Sequence, residues 1–355
     1  MGAGILGLPF VFAKSGFLAG LFWLISLGAV MIFLNLALGE ITIRTRGKHQ
    51  LAGYAEKYLG VWGKRAMFFA MIFGIYSALL AYLIGEGQSL SKLLPGEINP
   101  IFLGITFWAI MTLLLQEGLK QLKKVEMYGV VIIIAIILGM FIQFSPQIQA
   151  TNLTTLNPTN FTFPFGVILF SLLGFTSLPE LREEIKGQEK LLKKAIIIGS
   201  LTPIILYLLF TSIFIGILGH EVTEIATLAF GPLVTLLGIF TMLTSYFVLA
   251  FSLKDTYRYD LKLKKRSRIF LTSGLPLIFY LLVSKFQLIS FTSILGIGGV
   301  ISGGSMAILI LLTHKKSKDF KRNNKKPEIN VPSNWPLILL LSIIFIAGII
   351  LQFIQ

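Results

Sequence analysis

Long apolar runs, separated by short polar stretches, follow one another from end to end of this chain. They occupy 1–15, 17–43, 66–91, 100–116, 125–145, 163–180, 195–219, 228–253, 269–284, 288–313 and 335–354. About 20 apolar residues, rising 1.5 Å each, cross the hydrocarbon core of a bilayer as a helix. Every run but the first is long enough, so the pattern predicts an all-α polytopic membrane protein of eleven spans. The first span is cut short. Counting from Gly4 to Lys14 leaves about ten residues, enough for half a bilayer. Its other half is expected before Met1, lost through a late start or because the chain is a fragment.

Two of these runs carry glycine and proline where an unbroken helix would exclude them. One reads Gly-Ala-Gly-Ile-Leu-Gly-Leu-Pro from Gly2 to Pro9, the other Ser-Leu-Leu-Gly-Phe-Thr-Ser-Leu-Pro-Glu from Ser171 to Glu180. Both contain Gly-x-x-x-Leu-Pro, at Gly4–Pro9 and Gly174–Pro179, 170 residues apart. In lipid a broken helix is tolerated only where its freed backbone groups face protein or a watery cavity. Broken spans in corresponding positions of two halves point to a transporter's substrate site. Spans one to five (1–145) and six to ten (163–313) form the two expected halves. Five is odd, so the second half is inverted relative to the first, and 335–354 is an added span outside the repeat. The whole is one transmembrane domain.

Composition agrees. Of the 355 residues 55% are hydrophobic and only 13% charged, against about 25% charged in soluble domains, and the mean hydropathy is +0.83. The net charge of +15 would fit a nucleic-acid partner if it were scattered, and it is not. When the connections are numbered alternately, all basic residues except Lys14, Lys92 and Lys285 fall in one set. The positive-inside rule places that set in the cytoplasm, with the N-terminus inside and the C-terminus outside. The excess is therefore a topology signal, helped by anionic lipid. Cysteine is absent, and His49, His220 and His314 are read as lying in polar connections. With no intramembrane histidine and no paired carboxylates within a span, an enzyme is not expected. Gly2, Gly4 and Gly7 satisfy G-x-G-x-x-G, but no strand precedes them and the next acidic residue is Glu40, so the dinucleotide fingerprint fails.

The direction of the backbone gives the two breaks their chemistry. A half-helix from Leu6 to Ser15 would aim free N–H groups and a positive dipole end at the midplane, a seat for a carboxylate. A half-helix from Phe165 to about Ser171 would end in unpaired carbonyls, which accept from an ammonium group. Donors facing acceptors suit an amino acid zwitterion. Several polar residues lie near enough to matter. Tyr76, Tyr82 and the Gly85-Glu86-Gly87 run stand in the third span, and Glu180 follows the second break as a gate candidate. Thr241, Thr244 and Ser245 share roughly one face of the eighth. Asn35 lies in the second span, and Glu40 and Arg44 at its end have the spacing of a helix-end ion pair. Gly299-x-x-x-Gly303 is read as helix packing, and the sequons at Asn152 and Asn160 matter only in a eukaryotic secretory setting.

The run Gly2-Ala-Gly-Ile-Leu-Gly-Leu-Pro-Phe10, followed by Ala13-Lys-Ser-Gly-Phe17, resembles the first span of amino acid permeases. It is most similar to the amino acid/auxin permeases and the related aromatic amino acid permeases. The stretch Phe165–Glu184, with Gly-Phe-Thr-Ser-Leu-Pro-Glu, resembles their sixth span. The resemblance implies a LeuT-type fold and secondary active amino acid uptake driven by sodium or protons, with no other cofactor. It implies substrate contacts at Gly2, Ala3, Gly4 and Ile5, and at Ser171, Gly174, Phe175 and Thr176, with Tyr76 and Tyr82 as side-chain candidates. Sodium-dependent members use a Thr-Ser pair in the eighth span, here Thr244 and Ser245 with Thr241 a turn earlier. Their first-span carbonyls would fall at or before Met1. Some proton-coupled relatives carry a lysine within the fifth span, whereas Lys123 and Lys124 stop at its start. The alternatives are a polyamine or nucleobase transporter of the same fold, or a non-transporting sensor or degenerate paralogue.

Overall fold

A segment surrounded by lipid must satisfy its backbone hydrogen bonds within itself, and only a helix does this in a single run. The computed structural model describes residues 2–117, 122–185, 187–259, 261–319 and 327–354, apart from the side chains of Glu117, 122–128, Glu189 and Tyr259. Met1, Lys120, Lys186, Lys321, Arg322, Lys325 and Lys326 lie outside the described residues, as do the side chains of Lys123 and Lys124. Every regular element among the described residues is helical. Among the described residues nine helical segments are long and apolar enough to cross a membrane, and Ala3–Ser15 and Pro100–Gln116 are shorter apolar helices. The chain is thus a helical multi-span membrane protein.

In order, the helices are α1 (Ala3–Ser15), α2 (Phe17–Arg44), α3 (Leu51–Leu93), α4 (Pro100–Glu117), α5 (Leu122–Phe144), α6 (Phe165–Ser171), α7 (Leu178–Glu184), α8 (Glu189–Leu218), α9 (Pro232–Tyr259), α10 (Lys265–Ile269), α11 (Leu275–Phe286), α12 (Phe291–Gly298), α13 (Ser305–Asp319) and α14 (Trp335–Ile354). A π-turn at Phe270–Gly274 joins α10 to α11, and another at Gly299–Gly304 joins α12 to α13.

Three departures from the sequence reading have physical causes. Helix α1 begins at Ala3 instead of Leu6, so Pro9 stands inside it and not in its first turn. The helix containing the third span starts at Leu51 instead of 66 and bends at Gly60, whose φ of 76° is open to glycine. Before that bend Leu51, Tyr54, Ala55 and Tyr58 are buried while Glu56 and Lys57 are exposed. That is the periodicity of an amphipathic helix, too polar to register as a span. Finally, His314 is not in a connection: it lies within α13 and is 1% exposed.

The helices bury one another through close backbone approaches. A Cβ on Gly299 would meet the Phe170 N–H at 2.8 Å and run into the Gly166 carbonyl, so α6 lies directly against the second π-turn. The packing role expected of Gly299 is seen here. At the end opposite the basic connections, residues 145–164 cover the ends of α1 and α2. Asn157 N–H donates to Ser15 O at 2.8 Å, Phe17 N–H to Thr155 Oγ1 at 3.0 Å, and Trp23 Nε1 to Phe161 O at 2.8 Å. At the basic end Glu40 pairs with Arg44 Nε at 2.8 Å, as its spacing required. The fold adds His314 Nε2 at 2.9 Å, Lys318 Nζ at 3.5 Å and the Val331 N–H at 2.9 Å. Glu40 itself is fully buried.

Candidate functional site

The two broken segments meet. Helix α6 ends at Ser171, Gly174 is non-helical, a short 3₁₀ turn spans Phe175–Ser177, and α7 restarts with Pro179 near its N-terminus. A proline there lacks only an N–H that has no helical acceptor. Opposite, α1 starts at Ala3 with no side-chain cap on its free N–H groups. A Cβ on Gly4 would stand 2.8 Å from Ser171 Cα, so the start of α1 and the end of α6 touch through bare backbone.

A cavity of about 720 Å³ opens at this junction. It reaches from Gly2, Tyr82 and Tyr207 toward the basic end, past Leu181, Ala195 and Leu249. Its walls include Met31, Met71, Ile75, Phe170, Phe175 and Met306, and no charged side chain is among its described lining. Size and apolarity are those of a small-molecule site.

The expected residues divide on this geometry. Gly2, Gly4, Ser171, Gly174, Phe175, Thr176, Tyr82, Thr244 and Ser245 line the cavity. Ala3 and Ile5 are buried behind it, and the Ala3 backbone hydrogen-bonds the Tyr82 hydroxyl, which also engages Ser245. That hydroxyl occupies the dipole end of α1, the seat expected for a carboxylate. Tyr76 is not at the cavity: its hydroxyl donates to Leu271 O at 2.8 Å and pairs with Tyr257, also at 2.8 Å. Tyr76 therefore packs α3 against α9 and the first π-turn. Thr241 is also turned away, 1% exposed and donating to Gly238 O at 2.8 Å. Thr244 donates to Phe240 O at 3.0 Å, which leaves its oxygen lone pairs toward the cavity. Glu180 is exposed in the first turn of α7 and does not line the cavity.

Two cavity groups were not identified from the sequence. Tyr207 of α8 donates to Ser171 O at 2.9 Å and so holds one of the carbonyls at the end of α6. Asn35, noticed only as a polar residue in a span, donates to Ser200 Oγ at 3.1 Å. A polar side chain in mid-span was the signal for both, but what each contacts depends on another helix.

A model of the tryptophan/tyrosine permease family matches residues 1–231, well over half of the chain. The chain belongs to that family. The resemblance drawn from the first and sixth spans is thereby upheld, and the family is one of permeases, not enzymes. Among relatives of this permease, tyrosine-specific transport system 1 of Haemophilus influenzae is 25% identical over 214 residues, covering 59% of this chain and 53% of its own. Tyrosine-specific transport system 2 of the same organism is 26% identical over 238 residues, covering 62% and 56%. The chain thus spans about half the length of these two relatives. Glutamine transporter 2 of Aliivibrio fischeri is 23% identical over 353 residues, covering 91% of this chain and 89% of its own. The crystal structure of MhsT in complex with L-phenylalanine superposes with a TM-score of 0.67 at 15% identity, over 100% of this chain and 95% of that one. The permease therefore has the LeuT-type fold.

Proposed function

We propose that this permease is a secondary active transporter that carries an aromatic amino acid through the cavity between its two broken helices. The observation that carries the reading is the junction itself. The N-terminal end of α1, where the Tyr82 hydroxyl sits on the Ala3 backbone, and the carbonyl end of α6, where Tyr207 holds Ser171 O, border one apolar cavity with no charged side chain in its described lining. Such a site holds a zwitterion by backbone dipoles and leaves selectivity to side chains. Met31, Met71, Phe170 and Phe175 offer the surface for an aromatic side chain. A polyamine would require carboxylates in the wall, and the described lining has none. In this reading the two sets of five spans form inverted halves, with 335–354 outside them, and alternating access moves one against the other.

Sodium coupling is supported by the Thr244 and Ser245 hydroxyls, hard oxygen ligands beside the start of α1. The test is uptake of labelled tyrosine, tryptophan and glutamine into proteoliposomes holding the full chain. Aromatic uptake is expected to exceed glutamine uptake and to rise with external sodium at fixed pH. Thr244→Val removes the oxygen at nearly constant shape and should weaken the sodium dependence by about tenfold, the loss of one ligand group at 1–2 kcal/mol. Thr211→Val, at a buried position on α8, should not. Uptake that ignores sodium would leave the hydroxyls as helix packing.

The orientation assigns the basic end to the cytoplasm, so that the cavity of this conformation extends inward. Absence of cysteine makes the check direct. Thr223 and Ser267 are exposed at opposite ends. Thr223→Cys is expected to react with an impermeant thiol reagent on intact cells, and Ser267→Cys only after lysis. The reverse pattern would invert the assignment.

A further inference from the structure

Glu86 on α3 is fully buried, and both of its carboxyl oxygens are without a hydrogen-bond partner among the described residues. The packing around it is tight. A Cβ on Gly85 would approach Met242 Sδ of α9 at 2.5 Å and the Phe291 ring of α12 at 3.2 Å. One on Gly87 would approach Pro100 O of α4 at 2.5 Å and the Tyr280 hydroxyl of α11 at 3.1 Å. The titratable groups nearest this stretch in sequence or register are tyrosines: Tyr82 on α3, Tyr246 on α9 and Tyr280 on α11. These helices also carry Lys92 in the last turn of α3, Lys285 in the last turn of α11, and Lys254, Asp255 and Arg258 toward the end of α9. Helix α12 brings none, α1 brings Lys14 at its far end over the Phe10 ring, and α4 brings Glu117 at its far end. Glu224, in the connection before α9, accepts from the Thr292 N–H at 3.4 Å. No ion pair reaches Glu86 among the described residues, in contrast to Glu40, which pairs with Arg44 and Lys318 and hydrogen-bonds His314.

A bare carboxylate in such a place costs far more than the fold can bear, and the group neutralises by taking up a proton. The neutral acid is still costly, because its own hydroxyl and carbonyl stay unpaired in this conformation, at about 1–3 kcal/mol. Intramembrane acids that serve only packing bring no return for that cost, and those that serve ion movement do. The position supports the second role. Glu86 stands four residues, one helical turn, from Tyr82 on the same face of α3. Tyr82 in turn touches both the start of α1 and Ser245. A substrate carboxylate that replaced the Tyr82 hydroxyl at Ala3 would move a cavity side chain one helical turn from the acid.

We propose that Glu86 is a proton-binding site of the transport cycle. Its carboxylate takes one proton from solution on one side of the membrane to give the neutral acid. It returns that proton on the other side in a conformation that wets it, so each zwitterion moves with one additional positive charge. The proposal rests on the transport reading of the cavity, and it stands beside the sodium reading because the two ions would use different groups.

The full chain is reconstituted at fixed sodium, and two activities are read: accumulation driven by a pH gradient, and exchange of labelled for unlabelled tyrosine without any gradient. Glu86→Gln, which mimics the protonated form, is expected to lower pH-driven accumulation by about tenfold or more, within the usual range of coupling between sites, while exchange continues. The same pH response in Glu86→Gln and wild type overturns the proposal. If the wild type itself fails to exchange, it is the transport reading that falls. Infrared difference spectra keep the question open to test should the variant fold poorly. The wild type is expected to show the carbonyl stretch of a protonated, buried carboxylic acid, disappearing as pH is raised. Its absence at neutral pH, or its loss on adding sodium alone, overturns the assignment to a proton.

Discussion

Gly174→Leu is expected to weaken amino acid binding sharply while leaving the permease in the membrane at its normal level. Nothing lies within 4 Å of a Cβ at this position, and Gly174 lines the cavity at the gap between α6 and the 3₁₀ turn. A leucine there meets no backbone. It fills the space intended for the ligand and favours continuation of α6. Overpacking of this kind costs about 1–3 kcal/mol, which is a loss of about five- to 150-fold in affinity. Direct binding of labelled tyrosine to detergent-solubilised protein reads it. Two further glycines serve as contrasts. Gly4→Leu should cost abundance as well as binding, since its Cβ collides with the Ser171 backbone and forces the two broken helices apart. Gly299→Leu should cost abundance first, because α6 lies against it. Normal affinity in Gly174→Leu at normal abundance would move the site away from the breaks.

The second large effect is on stability. Glu40→Ala removes a fully buried carboxylate and leaves Arg44, His314 and Lys318 facing one another, with the Val331 N–H unpaired. Breaking a buried pair from one side costs about 3–5 kcal/mol, a large share of the total stability of a domain. Thermal inactivation of tyrosine binding in detergent should move to lower temperature in Glu40→Ala by far more than in Glu56→Ala. Glu56 also forms an ion pair, with Lys64 at 2.9 Å, but both partners are about half exposed and worth little. Equal shifts would show that the cluster adds nothing to the fold. The structural reason to expect otherwise is that it joins α2, α13 and the segment leading to α14 at one point.

The contrast between Glu40 and Glu180 shows why side-chain roles were harder to read than helices. Both acids end a span and both have a basic residue nearby in sequence. The fold buries Glu40 against His314 and Lys318 of α13, while Glu180 is left exposed on α7. Tyr76 and Tyr82 present the same difficulty within one helix. They lie six residues apart on α3, and rotation by 100° per residue sends Tyr82 toward α1 and Tyr76 toward Tyr257. Helical periodicity gives that angle, but not which helix waits on each side.

What the sequence by itself determined was whatever depends on neighbours along the chain. Apolar runs of membrane length can satisfy their backbone only as helices, so the spans were legible, and so was the second break, because glycine and proline act on their own backbone. The second break, from Ser171 to Pro179, appears where these residues required it. The first segment is one helix from Ala3 to Ser15 with Pro9 inside it, nearly all of it buried. Tertiary structure alone decided the meetings: Gly4 against Ser171, Tyr207 on the Ser171 carbonyl, Tyr82 between Ala3 and Ser245, and Glu40 with His314 across 274 residues. The same closure left Glu86 buried without a partner among the described residues. Whether a polar group in a span is paired, solvated or left bare depends on which helices close around it, and hydropathy along a chain carries no record of that.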